Sequence, residues 1–111
     1  MESRLIYESD KTYQNKIQWI SPIGSESEWR YLNPQSANEI QLQNIINKKF
    51  IEETLYLVID RNESMEIDKL DLGSKIKGLY GKTEFKVWDK SFQNIIEFNL
   101  EVYREGINAS R

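Results

Sequence analysis

A twelve-residue segment from Asp60 to Asp71 carries the side chains best suited to binding a metal ion. Oxygen-bearing residues stand at its positions 1, 3, 5, 7, 9 and 12, the ligand spacing of an EF-hand calcium loop. However, position 6 is Met65, where such loops need glycine for a sharp turn. The residues before Asp60 also have the pattern of a strand, whereas an EF-hand requires a helix there. We therefore predict no metal site and keep carboxylate-based calcium binding as an alternative.

The chain contains no histidine and no cysteine, which removes most of the usual groups of catalysis. A thiol nucleophile, a Ser-His-Asp triad and an imidazole proton shuttle are all excluded. No spacing singles out two carboxylates as a pair, and Gly73, Gly78 and Gly81 fit no phosphate-binding motif. We therefore predict no catalytic residues and no cofactor, and we expect a binding protein instead of an enzyme.

Acidic residues are concentrated in one part of the chain. The net charge is -3, from 15 basic and 18 acidic side chains. Between Glu52 and Asp71 there are seven acidic and two basic side chains, whereas the stretch from Lys75 to Lys90 is basic on balance. Nucleic-acid binders usually present a basic stripe, so we expect no nucleic-acid partner. An acidic face beside a basic one predicts a docking surface for a charged protein, although a solvated helix start would have the same composition.

One tryptophan adds to this predicted surface. Trp88 is out of phase with Phe85 and Val87, so its side chain should lie on the opposite face of its strand. An exposed tryptophan beside charged residues is typical of a binding hot spot, and the alternative is a core residue on the second face. The predicted partner-binding residues are Asp60, Glu63, Glu66, Asp68, Asp71 and Trp88.

The length of 111 residues fits a single domain, 1–111. No apolar segment has the length of a signal peptide, and none approaches the roughly 18 residues of a membrane span. The absence of cysteine is compatible with a reducing compartment. We therefore expect a cytoplasmic protein without a membrane partner.

Hydrophobic periodicity predicts the elements of the first half of the chain. Arg4–Tyr7 and Lys16–Ile20 alternate apolar and polar residues, as short strands do. Ser25 and Glu28 have the spacing to cap one helical turn. Ser36 and Glu39 form a capping-box pattern, and apolar residues recur at helical spacing as far as Phe50, which predicts a helix.

The second half of the chain alternates strands and a helix. The apolar run Leu55–Ile59 predicts a central strand covered on both faces. A helix is predicted from about Asp68 to Tyr80, followed by Gly81 as its stop. Residues 84–87 and the strictly alternating residues 96–103 predict two further strands. This order predicts an α+β fold, a single compact domain with a mainly antiparallel sheet and about two helices packed on one face.

Three segments together resemble the small immunity proteins that bacteria keep beside contact-delivered or polymorphic toxins. They are the strand Leu55–Asp60, the acidic stretch through Asp71, and the sequence FKVWDKSF of residues 85–92 that leads into Ile96–Arg104. The resemblance is one of architecture and carries no residue motif. It implies a cytoplasmic protein that neutralises a toxin by direct binding, often a nuclease with a basic surface. A regulatory or interaction domain with another protein partner is the alternative.

Overall fold

The computed structural model describes residues 2–109, which form three helices and one antiparallel sheet. The helices are α1 (Ser3–Tyr13), α2 (Glu39–Lys49) and α3 (Lys69–Lys77), and the strands are β1 (Ile17–Ile20), β2 (Arg30–Tyr31), β3 (Thr54–Val58), β4 (Met65–Asp68), β5 (Phe85–Asp89), β6 (Asn94–Asn99) and β7 (Val102–Asn108). The strand order is β1-β7-β6-β5-β3-β4, and β2 also pairs with β7. The predicted α+β fold with a mainly antiparallel sheet is confirmed. Within residues 2–109, no helix combines the length and the apolar character needed to cross a membrane.

The middle of the sheet is covered on both faces. In β3, Leu55 and Leu57 belong to the core under α2 and α3, whereas Tyr56 and Val58 belong to a second core under α1. Strand β3 pairs with β4 on one side and with β5 on the other. The structure thus confirms the prediction of a central, doubly covered strand. It also confirms the two helices on one face, and α1 adds a third helix on the other.

The prediction of a strand at Arg4–Tyr7 is wrong, because these residues lie in α1. The helix buries Ile6 and Asp10, which are one turn apart, and packs Tyr7 and Tyr13 against the same core. The buried position at Asp10 holds a charged residue, and this hid the helical pattern. Because the helical pattern was not visible, the Leu-Ile-Tyr run resembled a short strand.

Helix α2 begins two residues later than its sequence pattern predicted. The capping box is formed by Asn38 and Gln41: Gln41 N–H donates to Asn38 Oδ1 at 2.9 Å, and Asn38 N–H donates to Gln41 Oε1 at 3.0 Å. The predicted cap, Ser36, instead belongs to a turn in which its N–H donates to the carbonyl of Asn33. The Ser25–Glu28 cap is also absent, since no helix occurs between residues 21 and 29.

Residues 96–103 are two strands and not one. Strands β6 and β7 pair from Asn94↔Ile107 to Asn99↔Val102, which leaves Leu100 and Glu101 as a two-residue turn. Leu100 has a φ of 55°, a conformation that such turns usually assign to glycine or asparagine. Because this turn has no glycine, the alternation of apolar residues gave no sign of the reversal.

Helices α2 and α3 approach closely at Gly73. The side-chain amide of Gln43 accepts from Gly73 N–H at 2.8 Å and donates to the carbonyl of Lys69 at 2.8 Å, so it bridges one turn of α3. A Cβ on Gly73 would lie 2.6 Å from Gln43 Oε1 and 3.1 Å from the carbonyl oxygen of Glu39. Glycine is therefore the residue that lets the amide of Gln43 reach α3.

We predict that Gly73→Ala lowers the free energy of unfolding by about 1–3 kcal/mol, because the added methyl group must push α2 away from α3. Gly78→Ala in the same segment is the matched control. Its backbone is helical, with φ -73°, and a Cβ there meets only a carbonyl at 3.6 Å. Urea unfolding should show a change within about 1 kcal/mol for Gly78→Ala. Equal losses in the two variants would contradict the close approach at Gly73.

The phenol of Tyr80 is buried and donates to the carbonyl of Leu32 at 2.6 Å. Burial raises the pKa of Tyr80 to about 12 from 10.0, with smaller contributions from Tyr103, Glu101 and Tyr31. The pKa of Tyr80 is higher in the folded protein than in the unfolded protein. The contribution of the neutral, buried phenol to the stability of the fold is therefore complete below about pH 10. It is lost as the pH rises towards 12.

We predict that Tyr80→Phe costs about 1 kcal/mol near neutral pH, since it leaves the Leu32 carbonyl without its donor. The difference from the wild-type protein should shrink between about pH 10 and 12, where the unfolded wild-type phenol ionises. Urea unfolding of the wild-type protein and the variant at a series of pH values measures this. A Tyr80→Phe deficit that does not change over this range would contradict the buried neutral phenol.

Candidate partner-binding surface

The five predicted acidic residues all lie along one edge of the sheet, which we call the acidic edge. Strand β4 is the outermost strand on that side. Asp60 and Glu63 lie in the loop that precedes β4, Glu66 and Asp68 lie within it, and Asp71 lies in the first turn of α3. All five residues are exposed. Four of the five residues thus lie on β4 or in the loop before it, and Asp71 lies at the start of the helix that follows.

Three of these carboxylates have local structural contacts. Asp60 Oδ1 accepts from the N–H groups of Asn62 and Glu63, each at 2.8 Å, which shapes the loop before β4. Asp68 Oδ1 accepts from Leu70 N–H at 3.0 Å and so caps α3. Glu66 forms an ion pair with Lys90, and the hydrogen bond from Lys90 lowers the pKa of Glu66 below its ordinary value.

The remaining two acids, Glu63 and Asp71, are the ones most available to a partner. Within residues 2–109, their side chains form no hydrogen bond or ion pair. Glu52 and Glu53 are exposed as well and precede β3 at the same edge as Asp68. Carboxylates on a short edge strand also discourage pairing with the edge of another sheet, so some of these carboxylates protect the edge.

The oxygen-bearing residues of Asp60–Asp71 have the spacing of a calcium loop in the sequence but do not form a metal-binding geometry in the structure. Met65–Asp68 is an extended strand and Asp71 is helical, so the oxygens are spread along the edge and do not surround one point. Nowhere in residues 2–109 do three or more acidic side chains converge as they would to hold an ion.

Trp88, the sixth predicted residue, is buried and not on the surface. Its side chain is 0% exposed and lies in the core under α1, on the face opposite Phe85 and Val87. The prediction that Trp88 lies on the face opposite Phe85 and Val87 is therefore confirmed, but the prediction that its side chain is exposed is wrong. The indole N–H donates to Asp10 Oδ1 at 2.8 Å. In this conformation Trp88 holds α1 on the sheet, and it lies outside the candidate binding surface.

Five charged residues of alternating sign form a row beside α1. Lys86, Glu97 and Arg104 stand directly opposite one another on β5, β6 and β7. At one end Lys86 Nζ contacts Asp10 Oδ2 at 2.9 Å, and at the other Arg104 Nη1 contacts Glu28 Oε1 at 3.0 Å. A groove of 520 Å³ beside α1 is lined by Asp10, Lys86 and Glu97 of this row, by Tyr7 of α1 and by residues 82–85. Opposite charges that face each other across strands stabilise the sheet, and here they also attach α1 and the 21–29 loop to it.

Arg104 additionally lies between two tryptophan rings. Its guanidinium carbon is 3.7 Å from the ring centroid of Trp19 and 4.3 Å from that of Trp29. It also donates from Nε to Glu97 Oε1 at 2.7 Å. Such a stacked and paired guanidinium holds the irregular loop before β2 against the sheet. No sequence pattern indicates this cluster, because its members lie far apart in the chain.

A second exposed feature adjoins the acidic edge where α2 meets α3, and we call it the helix seam. Ile40 on α2 and Leu70 on α3 are 71% and 77% exposed. Both line one cavity of 220 Å³, and Leu70 also lines a second cavity of 310 Å³ together with Asp68 and Glu53. This exposed pair was not predicted from the sequence, because an isolated apolar residue near the start of a helix is the only pattern that would indicate it.

Comparisons with other proteins find no relative. No protein-family model matches the chain, and no curated protein or solved structure matches it either. The resemblance to immunity proteins therefore stays a prediction.

We predict that Asp10→Ala lowers the free energy of unfolding by about 2–4 kcal/mol, because it removes the acceptor of the buried indole and the partner of Lys86. Asp10→Asn retains an acceptor oxygen and should lose less. Glu8→Ala, on the exposed side of the same helix, is the control and should change the value by no more than about 0.5 kcal/mol. Urea unfolding followed by tryptophan fluorescence tests this, and a loss for Asp10→Ala no larger than for Glu8→Ala would contradict it.

Proposed function

We propose that this chain is a small cytoplasmic protein that binds a partner protein through its acidic edge and blocks it, as an immunity protein blocks a toxin. The observation that carries the proposal is the exposure of Asp60, Glu63, Glu66, Asp68 and Asp71, which lie on β4, in the loop before it and in the first turn of α3. The protein acts by occupying its partner's surface and not by catalysis.

The charge of the acidic edge favours a partner with a basic surface. Seven acidic and two basic side chains lie between Glu52 and Asp71, and the carboxylates of Glu63 and Asp71 are free of internal pairs within the described residues. Opposite potentials speed the encounter of two proteins and disfavour wrong partners. A toxin domain that binds nucleic acid would present such a basic surface.

The rest of the fold supports binding without rearrangement. Glu66 and Asp68 lie on a strand that pairs with the doubly buried β3, and Asp71 lies on α3, which packs on the core, so these three carboxylates are held on a rigid support. Rigid surfaces lose little conformational entropy on association, which favours tight binding.

We predict that the double variant Glu63→Lys/Asp71→Lys binds the partner at least about tenfold more weakly and associates more slowly, because it replaces the two free carboxylates by positive charges. Capture of the partner from the source cell, followed by surface plasmon resonance, measures both quantities. The control is Glu8→Lys/Glu26→Lys, which changes the net charge equally at exposed sites away from the acidic edge.

Equal binding by the two double variants would contradict a role for the acidic edge. A stoichiometric partner that carries a toxic domain supports the immunity function. A partner without one would make the chain a regulatory interaction domain instead, and a preparation with no partner would overturn the proposal.

A further inference from the structure

We propose that the helix seam is the apolar anchor of the binding surface and receives an amphipathic basic helix of the partner. This inference rests on the proposed function and specifies the chemistry of the partner segment. Ile40 and Leu70 would contact the apolar side chains of that helix, and the surrounding carboxylates would contact its lysines and arginines.

The apolar part of the seam is exposed in a way that folding does not explain. Ile40 and Leu70 are not among the residues that form the two cores. With exposures of 71% and 77%, the two side chains leave most of their surface in water. Burying a side chain of this size against a partner is worth about 1.5–3 kcal/mol in general, so such a pair can act as an anchor.

The shape of the seam is that of a shallow track. The two cavities, of 220 and 310 Å³, share Leu70 and together extend from α2 past the start of α3 to the end of β4. The amide of Gln43 fixes the spacing of the helices beneath this track, since it is bonded to both Lys69 and Gly73. A preformed track between two helices suits an amphipathic helix, which lays its apolar stripe into such grooves.

Charge decides which kind of helix fits. Glu39 lines the first cavity, and Glu53 and Asp68 line the second. Among the described residues that line the two cavities, Lys69 is the one basic residue, so three carboxylates stand against a single ammonium group, which donates to the carbonyl of Phe50 at 3.3 Å. The apolar pair is thus bordered by carboxylates, which complement lysine and arginine at the margins of the apolar stripe.

The test is a titration of the ¹⁵N-labelled full chain with a synthetic peptide of about 15 residues in which leucine and lysine recur at helical spacing. The matched probe replaces every lysine by glutamate. At an ionic strength of about 0.15 M, we expect the leucine–lysine peptide to shift the amide signals of residues 39–44 and 68–71. The leucine–glutamate peptide should leave them unchanged.

Two variants separate the apolar anchor from general electrostatic attraction. Ile40→Gln/Leu70→Gln keeps the charge and the core, and it should weaken peptide binding at least about tenfold. Ile23→Gln, at a fully exposed isoleucine in the 21–29 loop, should leave binding unchanged.

Three results would each overturn the seam as the anchor: no shifts at millimolar peptide, shifts confined to residues 60–64, or equal affinity of the Ile40→Gln/Leu70→Gln variant. None of them bears on the proposed function, which fails only in partner capture and in the Lys variants of the acidic edge. A captured partner whose affinity falls with Glu63→Lys/Asp71→Lys but not with Ile40→Gln/Leu70→Gln would keep the function and reject this inference.

Discussion

The burial of both faces of the middle strands is the constraint on which the rest of this structure depends. In β3, β5 and β6, side chains alternate between a core under α2 and α3 and a second core under α1. A charged group can enter the second core only if its oxygens are bonded, and Asp10 meets this condition through Trp88 and Lys86. Because both faces are covered, the surfaces left for partners are the strand edges and the outer sides of the helices.

This arrangement explains why the candidate surface lies at β4. That strand is the end of the sheet, and its carboxylates are directed away from the cores. In the neighbouring helix seam, Leu70 shares one cavity with Asp68 of β4, and Ile40 shares the other with Glu39. An apolar centre with a charged border is the usual anatomy of a protein interface, whereas three charged side chains of the groove beside α1, those of Asp10, Lys86 and Glu97, already form ion pairs.

The sequence predicted the elements in which periodicity and burial agree. Leu55–Ile59 was recognisable as a doubly covered strand because every residue of the run is apolar, and the acidic edge was recognisable as a cluster of charge. The secondary-structure predictions were wrong where a single residue departed from the usual sequence pattern of its element. Asp10 hid α1, because its partners Trp88 and Lys86 are far away in the sequence, and Leu100 formed a turn without glycine. Trp88 was assigned to the correct face, but its burial required knowledge of α1.

The most direct test of binding through the acidic edge and the helix seam is hydrogen–deuterium exchange of the full chain, alone and bound to the partner captured from its source cell. We expect slower exchange on binding at residues 39–44 and 60–71, that is, along the helix seam and the acidic edge. The amides of α1 and of the groove beside it should exchange at the same rate in both states. Protection confined to α1, to that groove or to the 21–29 loop would contradict it, since the partner would then occupy the opposite side of the sheet.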